Sequence, residues 1–219
     1  GEMNSEIRDQ INDYLDGDVP FLLMGAPGIW KTAILSQMLA ARGWHLETMI
    51  ASGREPSDIA GMPLNTPEGV QFAMPAWARR LNQAASEGKG TALFIDELTS
   101  CHPALQAPLL RLINERRMDD WSLPKGCRII AAANPPELAA GGWDLSAPEA
   151  NRLAHVSVSP DLDAWAGFMI TQPDTYSFVP SAEAFLKSRP SLFQSVPKDA
   201  AQQSGAWPSP RTWTLASRL

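Results

Sequence analysis

Residues 25–32 read GAPGIWKT. A phosphate-binding loop follows G-x-x-x-x-G-K-[ST]: small residues let backbone N–H groups close around an anion, the lysine adds a point charge, and the hydroxyl reaches a divalent cation. Gly25, Lys31 and Thr32 meet that pattern, and Ala26, Pro27, Gly28 and Ile29 fill the permissive positions. Trp30 does not, because it stands where the second glycine belongs. If that position needs a left-handed backbone, a residue with a Cβ costs roughly 1–2 kcal/mol, about tenfold in binding. An indole there could also clash with the phosphates or with a neighbouring subunit. Taken alone, the match also fits a fortuitous Gly/Lys turn.

A second set of polar residues follows an apolar run. In FIDE, residues 94–97, Asp96 and Glu97 fall at the carboxyl end of the run TALFID. Ligands bind at that end of a parallel sheet. Asp96 is expected to hold Mg²⁺, directly or through water, together with the Thr32 hydroxyl. Glu97 is expected to take a proton from, or polarise, an attacking water. The plain alternative is a solvated acidic pair. Asn134 ends a third apolar run, RIIAAAN. Its amide could orient the water or touch a terminal phosphate, and it could equally be a turn residue ahead of Pro135 and Pro136.

Something must carry these residues to one place. FLLM, residues 21–24, precedes the loop as a buried strand, and TAILSQMLAARG follows it with helical spacing. HLETMIAS at 45–52, TALFID at 91–96, RIIAAAN at 128–134 and AHVSVS at 154–159 complete five strands. The spacers at 76–88 and 103–117 read as helices, and residues 5–15 place Ile7, Ile11, Tyr14 and Leu15 on one helical face. Such alternation predicts an α/β fold with a parallel sheet. The Gly- and Pro-rich stretch 53–75 is expected to be an irregular insertion, and 118–127 a small hairpin. From about residue 161 the pattern changes to helical pieces bearing Trp, Pro and Phe. The chain therefore divides into an α/β nucleotide-binding domain over 1–160 and a small helical domain over 161–219.

The 219 residues suffice for a large core, and a net charge of −6 excludes a globally basic nucleic-acid binder. His45, His102 and His155 have no metal spacing, and Cys101 and Cys127 form no C-x-x-C pair. No signal peptide or membrane-length apolar run is read, so a reduced, cytoplasmic setting is expected.

The loop, the acidic strand, the Asn strand, APEANRLAHV at 147–156 and WPSPRTW at 207–213 together resemble the MoxR-like branch of the AAA+ ATPases. GREPSDIAGMP at 53–63 resembles that branch's insertion in its second helix, and HPALQAPLLRLINERRM at 102–118 resembles the helix after its acidic strand. The resemblance covers roughly residues 5–219. It implies a P-loop sheet in the order 5-1-4-3-2 and a helical lid. It implies ATP and Mg²⁺ as ligands and a homo-oligomeric, hexameric ring. A partner bearing a von Willebrand factor A domain is implied too, with no membrane or nucleic acid engaged. Arg152 matches the arginine finger that reaches a neighbour's nucleotide, although by itself it reads as a surface arginine. Arg211 matches the lid's second sensor arginine, acting on its own or a neighbouring site. Eight residues follow Arg211, so a shortened lid is expected. Arg116 and Arg117 read as a solvated helix end, with interface arginines as the alternative. Trp165, Trp207 and Trp213 read as lid core.

Two functions follow. One is an ATPase that remodels or activates a partner protein. The other is an assembly scaffold whose nucleotide binding is impaired by Trp30. Asp96, Glu97, Asn134, Arg152 and Arg211 favour the first, because a scaffold has no physical need of all five.

Overall fold

The computed structural model describes residues 2–25, 31–135, 152–170, 179–199, 202 and 205–217. Along the chain run α1 (Glu2–Asp16), β1 (Phe21–Met24), α2 (Lys31–Ala41), β2 (His45–Ile50), α3 (Pro56–Ala60), β3 (Pro63–Thr66) and β4 (Gly69–Phe72). They are followed by α4 (Ala76–Ser86), β5 (Thr91–Asp96), α5 (Gln106–Glu115), β6 (Arg128–Ala133) and β7 (Ala154–Ser157). Further helices described towards the end are α6 (Leu162–Ile170), α7 (Val179–Ser188) and α8 (Pro210–Ala216).

Five strands form one parallel sheet in the order β2-β5-β6-β1-β7. Counting the parallel strands alone in chain order, that is the expected 5-1-4-3-2. Alternate side chains of these strands enter two cores, because successive residues point to opposite faces. Leu22, Leu93, Ile95, Ile129 and Ala131 pack beneath α4 and α5, joined by Trp77 and Trp121. Phe21, Leu23, Phe94, Ile130 and Ala132 pack against Ile11 and Leu15 of α1 and Leu35 and Leu39 of α2. Covered on both faces, the central strands read as continuous apolar runs. A third cluster joins Trp165, Ala166 and Met169 of α6 to Ala182 and Leu186 of α7 and to Phe193, with Trp213 against it. The indoles also tie this region: Trp165 Nε1 donates to Thr214 Oγ1 (3.0 Å) and Trp213 Nε1 to the Leu192 carbonyl (2.8 Å). Trp207 is half-buried.

Four local expectations need correction. The stretch 53–75 is ordered into α3 and an antiparallel β3–β4 hairpin. Its strands carry no apolar alternation, since most of their side chains face solvent. The stretch is held by contacts distant in sequence: Trp77 Nε1 donates to the Asp58 carbonyl and Trp121 Nε1 to the Ala60 carbonyl, each at 2.8 Å. Gly61 permits the turn into the hairpin, with φ of 100° and the Ala73 carbonyl only 1.9 Å from where a Cβ would stand. Conversely, 118–127 forms no pair of strands. An isolated Arg117–Ser122 bridge and the Leu123 N to Arg116 O bond (2.9 Å) close a loop whose Trp121 and Leu123 serve the core. The helix read over 103–117 starts as a 3₁₀ turn and stops at Glu115, because Arg116 turns left-handed (φ 55°). Arg116 is thereby an ion-pair partner of Asp18 rather than a solvated helix end.

Candidate nucleotide site

The carboxyl ends of β1, β5 and β6 lie side by side; the chain leaves β1 through Gly25, β5 ends at Asp96 and Asn134 follows β6. Gly25 follows β1 and donates its N–H to the Ala133 carbonyl of β6 (3.3 Å). Lys31 opens α2 and is buried. Its Nζ donates to the carbonyls of Gly25 (3.0 Å) and Ala133 (3.4 Å) and reaches Asn134 Oδ1 (3.5 Å). These partners are neutral oxygens, so the ammonium keeps its full charge for an incoming anion. Burial holds the Lys31 pKa below its usual range, opposed by Asp96 and Glu97 and assisted by Arg211. Arg211, exposed in the first turn of α8, therefore acts within electrostatic reach of Lys31 in the same chain. The start of α8 is fixed by a reciprocal cap between Ser209 and Thr212.

Asp96 ends β5 and accepts the Glu97 N–H on Oδ1 (2.8 Å). Glu97 takes a left-handed conformation (φ 55°, ψ 39°) at the start of a 3₁₀ turn. For a residue with a Cβ this costs roughly 1–2 kcal/mol. Its carboxylate accepts a hydrogen bond from Ser52 Oγ. Nothing in the sequence singles out Ser52. Only the β2–β5 register, which pairs Ile50 with Asp96, brings the residue two past β2 beside Glu97.

Lys31, Asp96, Glu97, Asn134 and Arg211 thus converge. Thr32 is half-buried in the first turn of α2. Arg152 stands apart, exposed just ahead of β7. Ala26, Pro27, Gly28, Ile29 and Trp30 lie outside the described residues.

The donor set suits a hard cation that shares its shell with phosphate and water. Among the described residues no three His, Cys, Asp or Glu gather as a metal cage. One carboxylate, Asp96, and one hydroxyl, Thr32, match the sparse protein ligation of Mg²⁺ at phosphate sites.

Residues 20–152 match the AAA domain, dynein-related subfamily. The chain belongs to this family. It carries the fold of AAA+ ATPases. Among solved structures, this AAA domain is similar to a candidate ATPase from Cytophaga hutchinsonii. Their TM-score is 0.52 at 19% identity, covering 74% of this chain and 49% of the other. The chain thus spans about half the length of that structure, and the likeness is one of fold. No curated protein matches the sequence. Among the described residues no helix is long and apolar enough to cross a membrane.

Proposed function

We propose that this AAA domain hydrolyses ATP in rings of the MoxR-like type and uses the cycle to remodel or activate a partner protein. The observation that carries the reading is Lys31: a buried ammonium at the ends of β1 and β6, bonded to neutral oxygens, within reach of Asp96, Glu97 and Arg211. Residues 1–160 act as the nucleotide-binding domain and 161–219 as its lid.

ATP binds with its phosphates along residues 25–32, where Lys31 turns from the carbonyls to the phosphate oxygens. Thr32 and Asp96 hold Mg²⁺, which when bound neutralises charge on the phosphates. Glu97 takes the proton of the attacking water as the water oxygen bonds to the terminal phosphorus. The bond from that phosphorus to the bridging oxygen breaks, and the pair leaves with ADP. Asn134 orients the water. Arg211 steadies the phosphates from the lid of the same subunit, a reading supported by its effect on Lys31. Arg152, exposed and outside the cluster, suits a role on a neighbouring subunit's nucleotide. A hexameric ring and a von Willebrand factor A partner complete the proposal.

Trp30 favours a second reading, in which the fold is an assembly scaffold with impaired nucleotide binding. Calorimetric titration with ATP and Mg²⁺ separates the two. Saturable binding, plus hydrolysis restored on mixing Arg152→Ala with Glu97→Gln subunits, supports the ring ATPase. Absence of binding in both the parent and Trp30→Gly would rule it out.

A further inference from the structure

A groove of about 390 Å³ lies along β2, bounded by α3, the base of the β3–β4 hairpin and the start of α4. Three guanidinium groups, Arg54, Arg79 and Arg80, line it with two carboxylates, Glu47 and Asp58. The carboxylates are already used. Glu47 accepts from Arg80 Nε (2.7 Å) and Nη2 (3.0 Å) and contacts His45 Nε2 (2.8 Å). Asp58 accepts the Glu55 N–H (2.8 Å). Burial pushes the Glu47 pKa up, but the bonds from Arg80 and His45 outweigh it and leave it below the usual carboxylate range. Arg79 gives one N–H to the Met74 carbonyl (3.1 Å). The Arg54 side chain has no hydrogen bond or ion pair with any described residue. The groove therefore holds surplus positive charge and free donors.

Its surroundings suit a chain rather than a small ion. Among the described residues β2 is an edge strand, paired with β5 alone, and its Glu47, Thr48 and Met49 form one wall. An open edge accepts an extended segment through backbone hydrogen bonds. Met62, which lines it, is 62% exposed, and Leu64 and Val70 on the hairpin are exposed as well. The walls are preset, because the indoles of Trp77 and Trp121 pin α3 and Gly61 fixes the hairpin base. A preformed groove loses less entropy on binding.

We infer that this groove docks an extended acidic segment of a partner protein, its carboxylates meeting Arg54 and Arg79 and its apolar side chains meeting Met62. The site lies outside the nucleotide cluster and stands whether or not the domain hydrolyses ATP.

Fluorescence anisotropy on the full chain tests it, with fluorescein-labelled decapeptides alternating Glu with Val and, as control, Lys with Val. The Glu peptide should bind at least about tenfold more tightly than the Lys peptide, and more weakly as salt rises. The double substitution Arg54→Glu with Arg79→Glu should weaken Glu-peptide binding at least about tenfold while nucleotide binding stays at the parent level. Arg54→Gln with Arg79→Gln, which removes charge without reversing it, should lose an intermediate amount. No binding, equal binding of the two peptides, or parent-like binding by both double variants would overturn the inference. So would displacement of the Glu peptide by inorganic phosphate at constant ionic strength, which would mark a plain anion site.

Discussion

The two ends of the parallel sheet use the same kinds of charged residue in opposite ways. At the amino end the charges of Asp18, Arg116, Arg128 and Arg42 are closed on partners. Asp18, just ahead of β1, accepts from both Arg116 Nη atoms (2.8 and 2.6 Å) and lies 3.6 Å from Arg128. Arg128 also donates to the Leu15 carbonyl (2.6 Å), and with Arg42 it flanks the Trp44 ring at 5.5 and 5.2 Å. At the carboxyl end Lys31 donates, among the described residues, to neutral oxygens, and Glu97 accepts from the Ser52 hydroxyl rather than from a cation. Paired charges with satisfied donors hold a fold together. Charges held near one another without pairing wait for a ligand.

The comparison breaks most decisively at Glu97. Glu97→Gln should leave nucleotide binding intact and lower hydrolysis by about 10²–10⁴-fold, the usual worth of a positioned base. Asp96→Asn should instead weaken Mg²⁺-dependent binding. Phosphate release and calorimetry on both variants check the pair, and parallel losses in both assays would erase the division of roles. The measurement needs an active parent, either this chain or Trp30→Gly.

Next in size is a purely structural change. Gly90 precedes β5, and a Cβ there would lie 2.4 Å from the Trp44 ring. Gly90→Ala should destabilise the domain by roughly 1–3 kcal/mol through overpacking. Denaturant melts read the loss, and the folded fraction should bind nucleotide as the parent does. A melt unchanged by the substitution would mean that the amino end is looser than its contacts imply.

Trp30→Gly should tighten ATP binding by about tenfold, the left-handed penalty alone, and raise hydrolysis where rings form. If the parent already binds as tightly, the indole does not obstruct the phosphates.

The smallest effect belongs to Asp18→Asn, about 1 kcal/mol for a partly exposed pair. Hydrogen bonds from Arg116 hold the Asp18 pKa below its usual value, against a smaller push upward from burial. A depressed folded pKa means the stabilisation is present above the unfolded value, about 3.9, and is lost as pH falls through the folded one. The gap between parent and variant melts should therefore close in acid. A gap that persists at low pH would assign the loss to something other than the ion pair.

Where the candidate residues stand in the fold was largely legible beforehand, because strand ends and the loop are local features. An apolar run ending in Asp96 and Glu97, and a glycine and lysine between strand and helix, are read by spacing alone. Ser52 and the closure of Arg116 on Asp18 were not, since each depends on contacts between segments far apart in sequence. The β3–β4 hairpin escaped for a different reason. Its exposed strands lack the alternation that marks a half-buried strand, and its order comes from Trp77, Trp121 and Gly61.

By itself the sequence determined that a parallel sheet forms, which residues end its strands, and the mismatch of Trp30 to the phosphate-loop pattern. These follow from the periods of buried strands and helices and from the chemistry of single residues. Tertiary structure decided what meets what: Lys31 against the ends of β1 and β6, Ser52 against Glu97, and Arg211 of α8 within reach of Lys31. Such pairings depend on strand order and register, which are fixed only when both faces of the sheet are buried at once.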